Sequence, residues 1–369
     1  MNPAASPLEN EIRRIISVAG PMPVAQYMAL CLTHPQHGYY LTQEPFGTRG
    51  DFTTAPEVSQ MFGELIGIWA ATVFRIMDSP AHVQLIELGP GRGTMMRDVL
   101  RAAQIVPKFR GGLSVHMVEI SPRLEETQRA TLANVDAPIE WHRSLDEIPK
   151  APCIILANEF VDALPVHQAV KMAKGWHERV VGIDDDGNLS FGAAPDPIPH
   201  FEKLMPKAVR GAAEGAIFEW RTDNVPLEIA RRVRERGAAL IVDYGHAQSD
   251  IGDTLQGMDM HAFADPAAQA GRIDITAHVD FEAFGYSAET MGAAIQGPVM
   301  QREFLHQLGI EARATALKER ASAAQAAEVD SAWLRLTEGG RTGMGELFKA
   351  MAIADPKLGT LPGFDVFEV

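Results

Sequence analysis

The chain has 369 residues, enough for one large or two ordinary domains, and its 46% hydrophobic and 22% charged residues are those of an ordinary globular protein. No run reaches the roughly 18 apolar residues of a membrane span. The formal net charge of −15 argues against a nucleic-acid partner, which needs a basic footprint, and by itself acidity signals only solubility.

The start, MNPAASPLENEIRR, lacks the basic residues and apolar stretch of a secretory signal. Cys31 and Cys153 sit in apolar surroundings without metal-ligand spacing, so buried reduced thiols in a cytoplasmic protein are expected. Leu8–Val18 and Val24–Leu32 read as helices separated by the breaking Pro21 and Pro23. The polar stretch from His34 to Phe52 is read as a site-covering loop, long enough to be functional. Within it His34-x-x-His37 lacks an acidic or cysteine partner at ligand spacing, and no metal is expected. Thr54-Ala-Pro-Glu57 has the form of a capping box. The helix it opens should cover Val58–Met77 and bury Phe62, Leu65, Ile66, Trp69 and Val73.

Leu85–Leu88 is a bounded apolar run that suits a parallel strand covered on both faces. Gly89, Pro90, Gly91, Arg92 and Gly93 then turn the chain, and a helical pattern begins at Thr94. Strand, glycine-rich turn and helix start together make a nucleotide site. The glycines allow close approach of backbone, and the free N–H groups of the helix point at polar ligand atoms. A dinucleotide fingerprint wants Gly or Ala where Thr94 or Met95 stands. The run Glu87 to Gly93, E-x-G-x-G-x-G, instead resembles motif I of class I S-adenosylmethionine (SAM) methyltransferases. A second strand, Val115–Ile120, carries Glu119, which lies 26 residues past Gly93 and can accept from both ribose hydroxyls of an adenosine cofactor.

Ile139–Arg143 reads as the third strand. Ser144 and Leu145 after it are candidates for the adenine edge and face, and Ser144 is equally placed to cap a helix with Glu147. Ala151–Ala157 is the fourth strand, and Asn158, Glu159 and Asp162 follow its carboxyl end, where open α/β sheets place their chemistry. The two acids could instead cap the next helix. Val166–Val170 and Val180–Ile183, with a hairpin turn at Asp184–Asn188, form a β insertion. Pro195, Pro197 and Pro199 mark a surface connection, and Pro226–Arg236 a helix with four arginines on a solvated face. Ala238–Val242 is the fifth strand. Gln248–Arg272 shows no clear period and reads as a loop over the site, and Thr276 as the cap of a helix near Ala277. His261 and His278 are tempting bases, though methyl transfer to guanidinium needs no histidine. Gln301–Leu308 and Leu317–Leu336 read as helices, and Leu347–Ala354 and Gly363–Val369 as closing antiparallel strands.

Several longer stretches carry a resemblance: GDFTTAPEVSQMFGELIG (Gly50–Gly67), VEISPRLEETQ (Val118–Gln128), NEFVDALPVHQ (Asn158–Gln168), VDYGH (Val242–His246), GDTLQG (Gly252–Gly257) and DITAHVDF (Asp274–Phe281). With motif I they resemble the MidA family, which includes mitochondrial complex I assembly methyltransferases, over nearly the whole chain. The fold implied is a class I, Rossmann-like α/β sheet of seven strands in the order 3-2-1-4-5-7-6, with an N-terminal helical cap and insertions after strands four and five. Four segments are expected: a cap over 1–78, a core over 79–247 with a β insertion at about 166–200, a substrate lobe over 248–346 and closing strands over 347–369. The resemblance implies SAM as cofactor and an arginine-bearing protein as acceptor, a complex I subunit in the mitochondrial members. Gly89, Pro90, Gly91, Gly93 and Thr94 would cradle the methionine part, with Glu87 near its amino group and Glu119 and Ile120 at the ribose. Asn158, Glu159 and Asp162 would face the acceptor, Asn158 also the cofactor. Thr53, Thr54 and Gln60 join the site through the resemblance alone. A small-molecule methyltransferase and a non-catalytic assembly factor on the same fold remain as alternatives.

Overall fold

Among the described residues the sheet that carries the glycine turn has eight strands, of which seven lie in line: β1 (Val83–Leu88), β2 (Leu113–Val118), β3 (Ile139–His142), β4 (Cys153–Asn158), β5 (Gly237–His246), β6 (Ala294–Met300) and β7 (Phe348–Ala354). The computed structural model describes residues 5–43, 54–259, 262–340 and 343–365. The strands lie in the order β3-β2-β1-β4-β5-β7-β6. The first five run parallel and β7 runs antiparallel between β5 and β6. All six residues of β1 are buried, which is why the strand reads as a continuous apolar run broken only by Gln84 and Glu87. Each Leu, Ile or Val covered there contributes about 1.5–3 kcal/mol relative to exposure.

The order matches expectation, but one strand of the closing pair does not. Phe348–Ala354 is a strand as expected, and its edge partner is Ala294–Met300, with a register shift between Gln296 and Val299. Gly297-Pro298 interrupts that strand's pattern and hides it from a period-two search. Gly363 instead turns the chain at φ +85, with Phe304 packed where a Cβ would stand, and residues 366–369 lie outside the described ones.

Two helices also begin elsewhere than expected. Thr54 makes no side-chain cap bond, and a four-residue helix, Ala55–Val58, precedes a break at Ser59. The long helix then runs Gln60–Ile76, its Ser59 side chain accepting from Met61 N at 3.1 Å. Its inner face buries Phe62, Leu65, Ile66, Trp69 and Val73 as the spacing requires. The expected helix over Leu317–Leu336 is two, Ile310–Lys318 and Ala323–Thr337, the second opened by a reciprocal capping box of Ser322 and Gln325.

The chain divides into two units. One joins Thr53–Val161, Asp223–Ala247 and Phe281–Val369 around the seven strands; the other joins Met1–Phe52, Asp162–Thr222 and Gln248–Asp280. This differs from the four consecutive segments expected. The stretches leaving the sheet after β4 and β5 belong with the N-terminal helices, and residues 281–346 belong with the sheet. Within that other unit, Gly175–Ile183 pairs with Met22–Pro23, Val166–Met172 and Leu189–Pro197, and Val166–Met172 pairs with Ile217–Arg221. Asp184 closes the expected hairpin turn, its Oδ1 accepting from Asp186 N and Asn188 N. Pro195 and Pro197 lie inside the edge strand rather than in a connection.

The stretch read as a loop, Gln248–Arg272, holds Gln256–Asp259 and Ala262–Ala264, which with Asp274–Thr276 make a three-stranded sheet. Strands of three or four residues are too short to show a period. Thr276 is therefore a strand residue, and the helix begins at Phe281. Leu8, Ile12, Tyr27 and Met28 of the N-terminal helices form this unit's core with Val166, Val181, Ile273 and Ile275. Cys31 and Cys153 are free and buried. No helix among the described residues is long and apolar enough to cross a membrane.

Candidate cofactor and acceptor site

The turn after β1 is built from left-handed backbone. Gly89, Gly91 and Gly93 have φ of +60, +54 and +79, conformations in which a Cβ meets the following carbonyl. Gly89 is also packed: a Cβ there would stand 2.8 Å from Phe160 Cδ2. Gly93 caps the helix Thr94–Ala103 without a side chain, so the helix's first N–H groups face outward past the glycines. Thr94 Oγ1 donates to Glu57 Oε1 at 2.6 Å, and Arg92 stands 3.6 Å from Glu57 Oε2. Glu57, expected to close a capping box, thus braces the glycine turn.

Glu87 at the end of β1 is 2% exposed, and its Oε2 is buried without a hydrogen-bond partner. Burial pushes its carboxyl well above the usual carboxylate range. Glu119 follows β2 and is also buried. Its Oε1 accepts from Ser121 N at 2.7 Å and its Oε2 from Gln128 Nε2 at 3.0 Å. Burial raises its pKa, and those two donors with the nearby Arg143 oppose the rise. Gln128 is fully buried and joins both halves of the site: the same amide donates to Gly91 O at 2.8 Å, and its Oε1 accepts from Trp141 Nε1 at 2.9 Å. Gln128 was not singled out from the sequence, because a glutamine one face of a helix away carries no motif.

Ile120 is 45% exposed directly beside the buried Glu119, an apolar surface next to a polar group. Ser144 makes no cap bond, and Leu145 is buried at the start of a single 3-10 turn, its carbonyl accepting from Arg232 Nη2. Arg232 is therefore buried, not part of a solvated face.

Asn158 ends β4, and its Oδ1 is buried without a partner. Glu159 adopts φ +49, uncommon for a side chain with a Cβ. Its Oε1 accepts from Ala55 N at 3.0 Å and from Asn158 Nδ2 at 3.1 Å, so it caps the short helix Ala55–Val58. Asp243 in the last half of β5 is fully buried and holds this loop: Oδ2 accepts from Phe160 N and Val161 N, and Oδ1 from Tyr244 N. Asn158 and Glu159 therefore stand in one unit with the glycine turn. Asp162 begins the other unit, buried, with its carbonyl accepting from Ala277 N and Arg221 Nη2.

Thr54 is half-buried at the start of the short helix. Gln60 is exposed and lines a cleft of about 340 Å³ with Leu317, Arg320, Gln325 and Glu328. Thr53 and His261 lie outside the described residues.

Comparison with known proteins identifies what this geometry belongs to. The family model described as "Putative S-adenosyl-L-methionine-dependent methyltransferase" matches residues 65–299. The mitochondrial protein arginine methyltransferase NDUFAF7 homolog of Drosophila melanogaster is 37% identical, over 94% of this chain and 84% of its own. The mitochondrial human NDUFAF7 is 35% identical, over 87% and 78%. A crystal structure from Burkholderia thailandensis, bound to S-adenosyl-homocysteine, superimposes with a TM-score of 0.80 at 28% identity, over 99% of this chain and 96% of that one. The mitochondrial designation of the relatives overturns the cytoplasmic expectation, which rested on the first residues and on the two cysteines. By family model, by identity over most of both chains and by fold, this chain belongs to the family of SAM-dependent methyltransferases that its MidA-like motifs resemble.

Proposed function

We propose that this chain transfers the methyl group of SAM to a guanidinium nitrogen of arginine on a partner protein. The observation that carries the reading is the packing of Phe160 on Gly89, which sets the Asn158-Glu159 loop against the glycine turn of a SAM-binding family. The relatives named protein arginine methyltransferases supply the acceptor class.

The residues suit SAM. Glu87 Oε2 and Asn158 Oδ1 are buried acceptors without partners, and the left-handed glycines leave backbone open to a ligand. Glu87 receives the amino group, Glu119 the ribose hydroxyls, and Ile120 with Leu145 an adenine face. Gly89, Pro90, Gly91, Gly93 and Thr94 line the methionine part. When bound, SAM supplies a methyl group on a sulfonium, ready for in-line displacement.

The chain's task is then placement. Guanidinium is always charged, and its delocalised lone pairs are poor nucleophiles. A carboxylate beside it fixes its plane and localises electron density on one nitrogen, and alignment does much of the rest. Glu159, in the unit of the glycine turn, is the acid offered for that contact and for the proton that leaves the methylated nitrogen. Glu159 already holds one oxygen in hydrogen bonds to Ala55 and Asn158, which fixes its orientation. The MidA resemblance puts forward a respiratory complex I subunit, or its counterpart, as the acceptor.

Calorimetric titration with SAM, for wild type and Glu119→Ala, tests the cofactor site, and radiolabelled methyl transfer to paired arginine and lysine peptides tests the acceptor. Glu119→Ala should weaken SAM about ten- to hundredfold, the loss of hydrogen bonds to a charged group. Label on arginine peptides alone supports the reading. Label on small molecules alone selects a small-molecule enzyme, and SAM binding without transfer an assembly factor.

A further inference from the structure

A cluster on the far edge of the sheet takes no part in the site above. His116 on β2 pairs in register with Glu140 on β3, and His142 lies two residues beyond Glu140. Register partners in a parallel pair, and residues two apart, share a face, so the three side chains stand together. One ligand atom of each lies within 4.8 Å of the others. His116 Nδ1 is 3.0 Å from His142 Nε2, which is 3.9 Å from Glu140 Oε2. Ligands of a tetrahedral zinc ion with bonds of 2.0–2.1 Å stand about 3.3 Å apart, so side-chain shifts of up to about 1.5 Å, the largest at the exposed Glu140, complete the set.

We propose that His116, His142 and Glu140 bind one divalent cation of the zinc class, with a fourth position open to solvent. Two imidazoles and a carboxylate are the donor set such a borderline ion prefers. The outer nitrogen of His116 is 3.1 Å from Ser114 Oγ on the same strand. Donation of that N–H to the hydroxyl leaves the Nδ1 lone pair facing the cluster, the outer-shell arrangement that orients a ligating histidine. His116 is buried, His142 half-buried and Glu140 exposed, so the cluster has both a fixed wall and an entry path. Arg232 acts against an ion at His116, and it is paired with Glu228 at 3.0 Å.

The ion would clamp β3, the four-residue edge strand with no fully buried residue, onto β2. The clamp sits just ahead of Glu119, whose N–H bonds His142 O at 2.9 Å, and of the Ser144-Leu145 turn. It is thus placed to hold the two loops offered above for ribose and adenine, though the binding of metal does not depend on that assignment.

The test uses the full chain, stripped with chelator and desalted, titrated with ZnCl2 and separately CoCl2 in the absence of SAM. Wild type should take up one equivalent of Zn2+ in the micromolar range or tighter, and Co2+ should give the visible absorption of a tetrahedral site. His142→Gln should weaken that equivalent at least about a hundredfold and abolish the absorption, with Glu140→Gln and Ser114→Ala weakening it about tenfold. His142 is only half-buried, so its variant keeps the test valid if His116→Gln fails to fold; thermal melting checks each variant. No uptake by wild type at micromolar metal, or uptake unchanged in His142→Gln, overturns the proposal. SAM titration of the same preparations keeps a failed metal site distinct from a failed cofactor site.

Discussion

Replacing Glu87 by glutamine keeps the volume at the end of β1 and removes only the charge, which separates two opposed effects. The carboxyl is 2% exposed, one oxygen has no partner, and burial holds its pKa well above the usual 4.5. A carboxyl raised on folding contributes stability that is full below its unfolded value and is lost as pH rises through the folded one. The wild type should therefore lose stability relative to Glu87→Gln as pH climbs from about 4.5 toward neutrality, with a limiting slope of about 1.4 kcal/mol per pH unit. SAM binding should move the other way. An ammonium against a buried carboxylate is a charge-assisted hydrogen bond of about 1.5–3 kcal/mol, so the variant should bind SAM about ten- to hundredfold more weakly. The same linkage makes wild-type affinity rise with pH over that interval, with proton release, while the variant's stays flat. Urea unfolding and calorimetry at several pH values between about 5 and 7 measure both quantities. Equal SAM affinity in the two proteins, or the same pH dependence in both, would refute the placement of Glu87 at the amino group.

Three further substitutions probe the parts around it. Gly89→Ala should cost about 2–5 kcal/mol, from a left-handed alanine and a Cβ 2.8 Å from Phe160, and should abolish SAM binding in whatever fraction stays folded, as read by thermal melting with and without ligand. Gln128→Leu removes donors to Gly91 O and Glu119 and the acceptor for Trp141, about 2–4 kcal/mol for three bonds at the upper end of their usual worth. It should weaken SAM in calorimetry although Gln128 itself is given no ligand contact; unchanged SAM affinity would separate it from the site. Asp243→Asn leaves one acceptor oxygen for three N–H groups, about 1–3 kcal/mol in chemical unfolding. Its methyl-transfer rate should fall while its SAM affinity changes by less than about threefold.

The centre of the parallel half of the sheet was legible because β1 and β4 are covered on both faces and bounded by turns, so that Leu85–Leu88 and Ala151–Ala157 read as single apolar runs. What failed was structure whose pattern is shorter than its period. Gln256–Asp259 and Ala262–Ala264 have too few residues to alternate visibly, and Ala294–Met300 is cut by Gly297-Pro298 at its register shift. The division into units failed for another reason. Residues 162–222 and 248–280 leave the sheet at two points and fold with the first 52, a pairing that depends on contacts far apart along the chain.

The site divides along the same line. Groups marked by a local pattern, such as the glycines on their strand–turn–helix and Glu119 at a strand end, could be put forward from the sequence because the constraint on them is written within a few residues. Groups that hold those in place were missed or given another role. Glu57 satisfied a four-residue capping pattern, yet its carboxylate reaches 37 residues along the chain to Thr94. Asp243 binds amides 82 and 83 residues away, and Gln128 bridges Gly91 and Glu119 from a helix that carries neither. A buried acceptor can be filled by any donor that the fold delivers, so short-range spacing does not select the partner. The signal that was present is chemical: a fully buried Asp in a strand must be supplied with donors, and two of those here are N–H groups of the loop that carries Glu159. Asp243 thereby fixes the loop that carries a strained, positive-φ glutamate, a condition that the proposed placement of guanidinium would need.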